Sequence, residues 1–296
     1  MKWRSRQRSR NIIDRRGARG LRGGGFSRPG RIGGGIGLPA LLILAVILVL
    51  NGGLGGSDAT IDSPLDDLPG IGDPAQTPLR GADPEQRLVK FVDFVLGDIQ
   101  DFWGDTFAES GRTYRRADLV LFDHSTASAC GMATEAIGPH YCPADENVYL
   151  DLGFFLELRD RFGAPGDFAQ AYVLAHEIGH HVQHLTGISD QVNEERGASP
   201  ENANELSVRL ELQADCLAGV WAFTTYERKM LEEGDLEEGL NAAAAVGDDR
   251  IQQQATGTID PESWTHGTSE QRMRWFATGF KDGDPNDCAT FSAENL

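Results

Sequence analysis

Residues 166–187 read GDFAQAYVLAHEIGHHVQHLTG, and this stretch decides how the larger part of the chain folds. Apolar residues at Phe168, Ala171, Tyr172, Val173, Leu174, Ala175 and Ile178 predict a buried helix over 167–186, with Asp167 as its N-cap and Gly187 as its stop. His176 and His180 are four residues apart, so a helix stacks their imidazoles on one face, about 6 Å apart along the axis. Two imidazoles placed in this way can converge on one Zn2+. Glu177 lies one residue further round, where a carboxylate can take a proton from a water at the open coordination position. A charged Glu buried between two histidines is costly without a cation, which favours a metal site over a pair of core histidines.

A catalytic zinc normally has a third protein ligand. The longer three-histidine motif needs Gly and His where this chain has Gln183 and Thr186, so that arrangement is excluded. His184 falls a further turn along, toward the surface, and His181 points elsewhere on the helix. A second helix is expected over 203–232, apolar at Leu206, Val208, Leu210, Leu212, Leu217, Val220 and Trp221, and it carries Glu211 and Asp215 at i and i+4. Glu211 is the expected third ligand, with Glu205 competing for the role. Asp215 is placed to accept the far ring N–H of a zinc histidine. His266 directly precedes the capping-box pair Thr268 and Gln271, which opens a helix through Phe280. It is the candidate donor to a developing oxyanion, with a surface-loop histidine as the alternative reading; Tyr149 and Tyr172 are further candidates.

Working outward, Leu88, Phe91, Val92, Val95, Ile99 and Phe102 predict a helix over 87–103, and a short helix is expected over 153–161. DLVLFD at 118–123 and NVYLDL at 147–152 read as strands, the second a candidate edge for pairing with an extended peptide. Several helices with few strands give an α+β domain over 85–296, mostly helical with a small sheet. Cys130 and Cys142 bracket a short loop and form the first expected disulfide. Cys216–Cys288 then follows by elimination, as one of three possible connectivities.

The start of the chain has the opposite electrical character. Residues 1–31 hold eleven Lys or Arg and one acid, against 16 basic and 44 acidic residues afterwards, so about +10 is followed by about −28. Between them, residues 32–54 are uncharged and include LPALLILAVILVL at 38–50. This predicts a transmembrane signal anchor, with a cleaved signal peptide as the rival reading. The basic arm 1–31 is expected in the cytoplasm, 55–84 as a flexible linker, and the domain outside a single-pass cell membrane. Membrane topology accounts for the basic residues, so no nucleic-acid partner is expected.

Beyond the zinc motif, the chain resembles the bacterial putative neutral zinc metallopeptidases. The resemblance is carried by NIIDRRG at 11–17, SACG at 128–131, YCPADENVYLDL at 141–152, GDFAQAYVLAHEIGHHVQ at 166–183, RLELQADCLAGVWA at 209–222 and HGTSEQRMRWF at 266–276. It implies a membrane-anchored, zincin-like domain that hydrolyses peptide bonds with one Zn2+ per chain, ligated by His176, His180 and Glu211, with Glu177 as the base. Two other classes fit the same residues: a zinc amidase acting on cell-wall peptide, and a non-catalytic zinc-containing binding module.

Overall fold

A computed structural model describes residues 1–4, 11–17, 83 and 85–296. The sheet has four strands: β1 (Ile12–Asp14), β2 (Asp118–Phe122), β5 (His140–Cys142) and β6 (Asn147–Asp151), in the order β1-β2-β6-β5. A separate hairpin, β3 (Ser125–Ser128) with β4 (Gly131–Thr134), precedes β5 in the chain. β1, β2 and β6 run parallel, with Leu119 opposite Val148 and Leu121 opposite Leu150, while β5 runs antiparallel to β6. Parallel strands covered on both faces favour continuous apolar runs, and Leu119, Val120 and Leu121 are fully buried.

The described residues also form the helices α1 (Gln86–Glu109), α2 (Phe154–Asp160), α3 (Asp167–Thr186), α4 (Ile188–Ala198), α5 (Ala203–Glu227), α6 (Asp235–Ala245), α7 (Asp248–Thr256) and α8 (Ser269–Asp282). The α+β expectation, mostly helical with a small sheet, holds. α3 spans the residues expected of it, but Asp167 is its first residue rather than its cap. Gly166, at φ 118°, precedes it, and the Asp167 carboxylate instead meets the amino group of Met1. α5 stops at Glu227, short of the expected 232, where the chain turns through Lys229 at φ 57°. α8 opens with the expected capping box between Thr268 and Gln271. Both expected disulfides form, Cys130–Cys142 and Cys216–Cys288, with Cα–Cα separations of 5.8 and 5.5 Å.

α5 and α8 cross backbone to backbone. A Cβ on Gly219 would lie 2.0 Å from the Phe276 carbonyl oxygen, and one on Gly279 would lie 1.9 Å from that of Cys216. The two glycines face opposite helices, so the crossing tolerates no side chain at either.

The described residues of the basic segment 1–31 pack on the domain: Trp3 lies against Phe91 and Phe94, and β1 pairs with β2. Arg16, 3% exposed, holds Asp14 at 2.9 Å, Asp83 at 2.8 Å and Glu85 at 2.7 Å. The expected anchor 32–54 and nearly all of the linker 55–84 lie outside the described residues. Among the described residues no helix is long and apolar enough to cross a membrane.

β6 is likewise not an edge, because β2 and β5 flank it. The open edge beside α3 belongs to β5, whose Tyr141 ring packs against His181 and His184.

Candidate metal centre

Gly179 lies between the two histidines of the motif and lets α5 come close. A Cβ there would lie 3.0 Å from the Ala214 carbonyl oxygen and 3.1 Å from the Ala214 Cα. Through this approach α5 delivers Glu211 and Asp215 to the face of α3 that carries the imidazoles. His176 Nε2 lies 3.1 Å from one Glu211 oxygen, and His180 Nε2 lies 3.4 Å from the other. The rings are 4.8 Å apart and nearly perpendicular, at 87°. One donor atom from each of His176, His180 and Glu211 falls within 4.8 Å of the others. Glu205 is not among them: it lies on the surface, paired with Arg209 at 2.9 Å.

The donor set fits zinc. Each imidazole is already engaged through Nδ1, His176 with Asp215 Oδ1 and His180 with Gln183 Oε1, both at 2.9 Å. That leaves both Nε2 atoms facing a carboxylate, an N,N,O set of the kind zinc takes in catalytic sites. Burial would lower the His176 imidazolium, but the Asp215 charge and the hydrogen bonds to Asp215 and Glu211 outweigh it and raise it to about 10. Burial would raise the Glu211 carboxyl, yet His180 and His176 hold it well below the usual carboxylate range. The His176 imidazolium and the Glu211 carboxylate thus favour each other's charged forms.

Asp215 is fully buried and has two partner residues besides His176. Arg272 Nε and Nη2 donate to its two oxygens at 2.8 and 3.0 Å, and the Tyr172 hydroxyl also donates to it. Burial would raise the Asp215 carboxyl, but Arg272 and His176 keep it below its ordinary value. Arg272 is 3% exposed and is anchored further by the Val246 carbonyl at 3.2 Å. The sequence reading missed it. Its only local signal is a basic residue one position after Gln271, separated from the apolar pair Trp275 and Phe276 by Met273 and Arg274.

Tyr172 is thereby committed to Asp215, and the Tyr149 hydroxyl donates to Asp145 at 2.7 Å, so neither phenol is free as an oxyanion donor. His266 is held by Asp248, which accepts from the backbone N–H groups of Thr265, His266 and Gly267 and meets His266 Nδ1 at 3.1 Å. It lies near enough to the centre to interact electrostatically with Glu211. Burial opposes the His266 imidazolium, but Asp248 and Glu211 raise it. His181 is buried away from the centre, against the Arg115 carbonyl at 2.6 Å and the Tyr141 hydroxyl at 2.9 Å, and His184 sits 3.6 Å from Glu146. Glu177 is 7% exposed and has no hydrogen-bond or ion-pair partner among the described residues.

The Escherichia coli (strain K12) protein "Uncharacterized protein YpfJ" is 44% identical over 300 residues, covering 98% of this chain and 99% of its own length. "Uncharacterized protein Rv2575" of Mycobacterium tuberculosis (strain H37Rv) is 47% identical over 194 residues, covering 62% of this chain and 65% of its own length. No solved structure matches. Residues 1–291, which include both helices of the metal centre, match the family described as "Putative neutral zinc metallopeptidase", and the chain belongs to that family.

Proposed function

We propose that the chain is a zinc metalloendopeptidase of the HExxH-plus-Glu type, with His176, His180 and Glu211 holding one zinc ion in a zincin-like domain. The observation that carries this reading is the convergence of those three donors beside Glu177 in the chain, a carboxylate with no partner among the described residues. Zinc, when bound, supplies a Lewis acid and lowers the pKa of water to about 7. Glu177 takes a proton from the attacking water on its free carboxylate. It then passes that proton to the amide nitrogen, which leaves as an amine as the C–N bond breaks. His266 gives its Nδ1 proton to Asp248, which together with Glu211 favours its imidazolium against burial, and in that protonated form Nε2–H donates to the carbonyl oxygen as negative charge develops there. The open edge of β5 is the surface on which an extended peptide pairs. A non-catalytic zinc module has no use for an unpartnered acid beside its ligands.

The test is metal dependence with two readouts. The wild-type chain is expected to bind one zinc and to cleave unfolded protein, to lose cleavage on chelation and to regain it with zinc. Glu211→Ala should weaken zinc by more than about 100-fold, beyond the 10–100-fold typical of outer-shell changes. Cleavage that persists through chelation would remove the proposal. Purified cell-wall peptide, assayed in parallel, separates the amidase reading.

Membrane attachment through 32–54 is a second part of the proposal, supported by the uncharged run in the sequence. The full chain is then expected to sediment with membranes and to resist extraction by alkaline carbonate, while a chain lacking 32–54 is not.

A further inference from the structure

His176 and His180 are held by different chemistry. A carboxylate stands behind His176, whereas behind His180 stands a chain of amides that ends on backbone carbonyls. Gln213 Nε2 donates to the Cys288 carbonyl at 2.9 Å. Gln183 Nε2 donates to the Leu210 carbonyl at 2.7 Å and to Gln213 Oε1 at 3.1 Å. Gln183 Oε1 meets His180 Nδ1 at 2.9 Å. Gln183 is fully buried and Gln213 nearly so, which excludes water as a substitute partner.

The direction of this chain follows from its ends. A backbone carbonyl can only accept, so Gln213 must present its NH2 to Cys288 and its oxygen to Gln183. Leu210 also can only accept, so Gln183 must turn its NH2 toward Leu210 and Gln213. Its own oxygen then faces His180. Amide orientations that coordinates alone leave ambiguous are fixed here by two groups that cannot donate. The nitrogen facing Gln183 must carry a proton, and the lone pair of a neutral His180 therefore lies on Nε2, toward Glu211.

We propose that Gln183 is a positioning residue that holds His180 in its Nδ1–H tautomer, with the carbonyls of Leu210 and Cys288 setting the direction of the hydrogen-bond chain. The Cys216–Cys288 disulfide joins the Cys288 end of this relay to α5, the helix that carries Glu211. The tautomer rests on hydrogen bonding alone; only its effect on affinity rests on the zinc reading above.

The experiment uses the full chain labelled with 15N-histidine. In the neutral metal-free protein and in the zinc-loaded protein, the His180 nitrogen spectrum is expected to show Nδ1 protonated. Gln183→Met keeps the side-chain length but removes the acceptor and should weaken zinc about 10–100-fold, with the His180 Nδ1 proton exchanging freely with solvent. Gln213→Met leaves Leu210 to hold Gln183 and should cost less than Gln183→Met; it also serves if the first variant does not fold. An Nε2–H tautomer in the metal-free wild type overturns the proposal, as does a folded Gln183→Met chain with wild-type zinc affinity and a protected Nδ1 proton. If the wild type fails to bind zinc, the metallopeptidase reading falls, while the metal-free spectrum still decides the tautomer.

Discussion

Glu177→Gln is expected to lower peptide hydrolysis about 10²- to 10⁴-fold, the range that a positioned general base contributes, while the chain still binds one zinc. The substitution preserves shape. It replaces a carboxylate that can accept and hold a proton with an amide that cannot, at a position where no hydrogen bond or ion pair among the described residues is disturbed. His176, His180 and Glu211 keep their mutual distances, so zinc content separates loss of the base from loss of the site. Measurement of turnover on unfolded protein beside metal content decides the matter. Cleavage at the wild-type rate would remove Glu177 from the mechanism, and loss of zinc would make it a structural support of the centre instead.

The second large effect is expected far from any reacting atom. Gly279→Ala places a Cβ 1.9 Å from the Cys216 carbonyl oxygen and 2.8 Å from the Val220 nitrogen, and both obstacles are backbone of α5. No rotamer change can relieve this, so α5 and α8 must separate. We expect a loss of at least about 3 kcal/mol, at or above the usual cost of overpacking, read as a lower urea midpoint with both disulfides intact. Because α8 carries Arg272, the separation should also loosen Asp215 and weaken zinc in whatever fraction remains folded. Gly97→Ala is the matched control. It lies in α1 with nothing within 4 Å of the added Cβ and should gain about 0.5–1 kcal/mol from helix propensity. An unchanged midpoint for Gly279→Ala would mean that the helices do not cross as closely as described.

Features that depend on local periodicity or short-range capping were legible in the sequence. α3, β2, β6, α2 and the capping box of α8 fall where apolar spacing and turn residues put them. The pairing of Glu211 with two histidines on another helix was also legible, because two acids at i and i+4 in an apolar helix have few other uses. What the sequence hid are partnerships between distant residues. Arg272 reads as an ordinary helix cation until α8 crosses α5 and buries it against Asp215. Gln183 registers only as a missing ligand of another motif, although its amide reaches His180, Leu210 and Gln213. Tyr149 and Tyr172 look like free phenols because Asp145 and Asp215 are unremarkable acids in the linear chain. The strongest misdirection came from charge. The basic density of residues 1–31 masked the three-residue strand Ile12–Asp14, whose partner lies about a hundred positions away.

Synthesis order gives the late-made supports of the metal centre a further meaning. Arg272 is added 57 residues after Asp215, and Cys288 follows Gln213 by 75. At about 5–20 residues per second, a ribosome needs roughly 4–15 s to cover the longer interval. Throughout that time a nascent chain already carries the HEIGH helix but lacks the partners that steady its ligands. The assembled centre thus waits on residues as far along as Cys288, and a growing polypeptide does not hold His176, His180 and Glu211 in line before those supports are made.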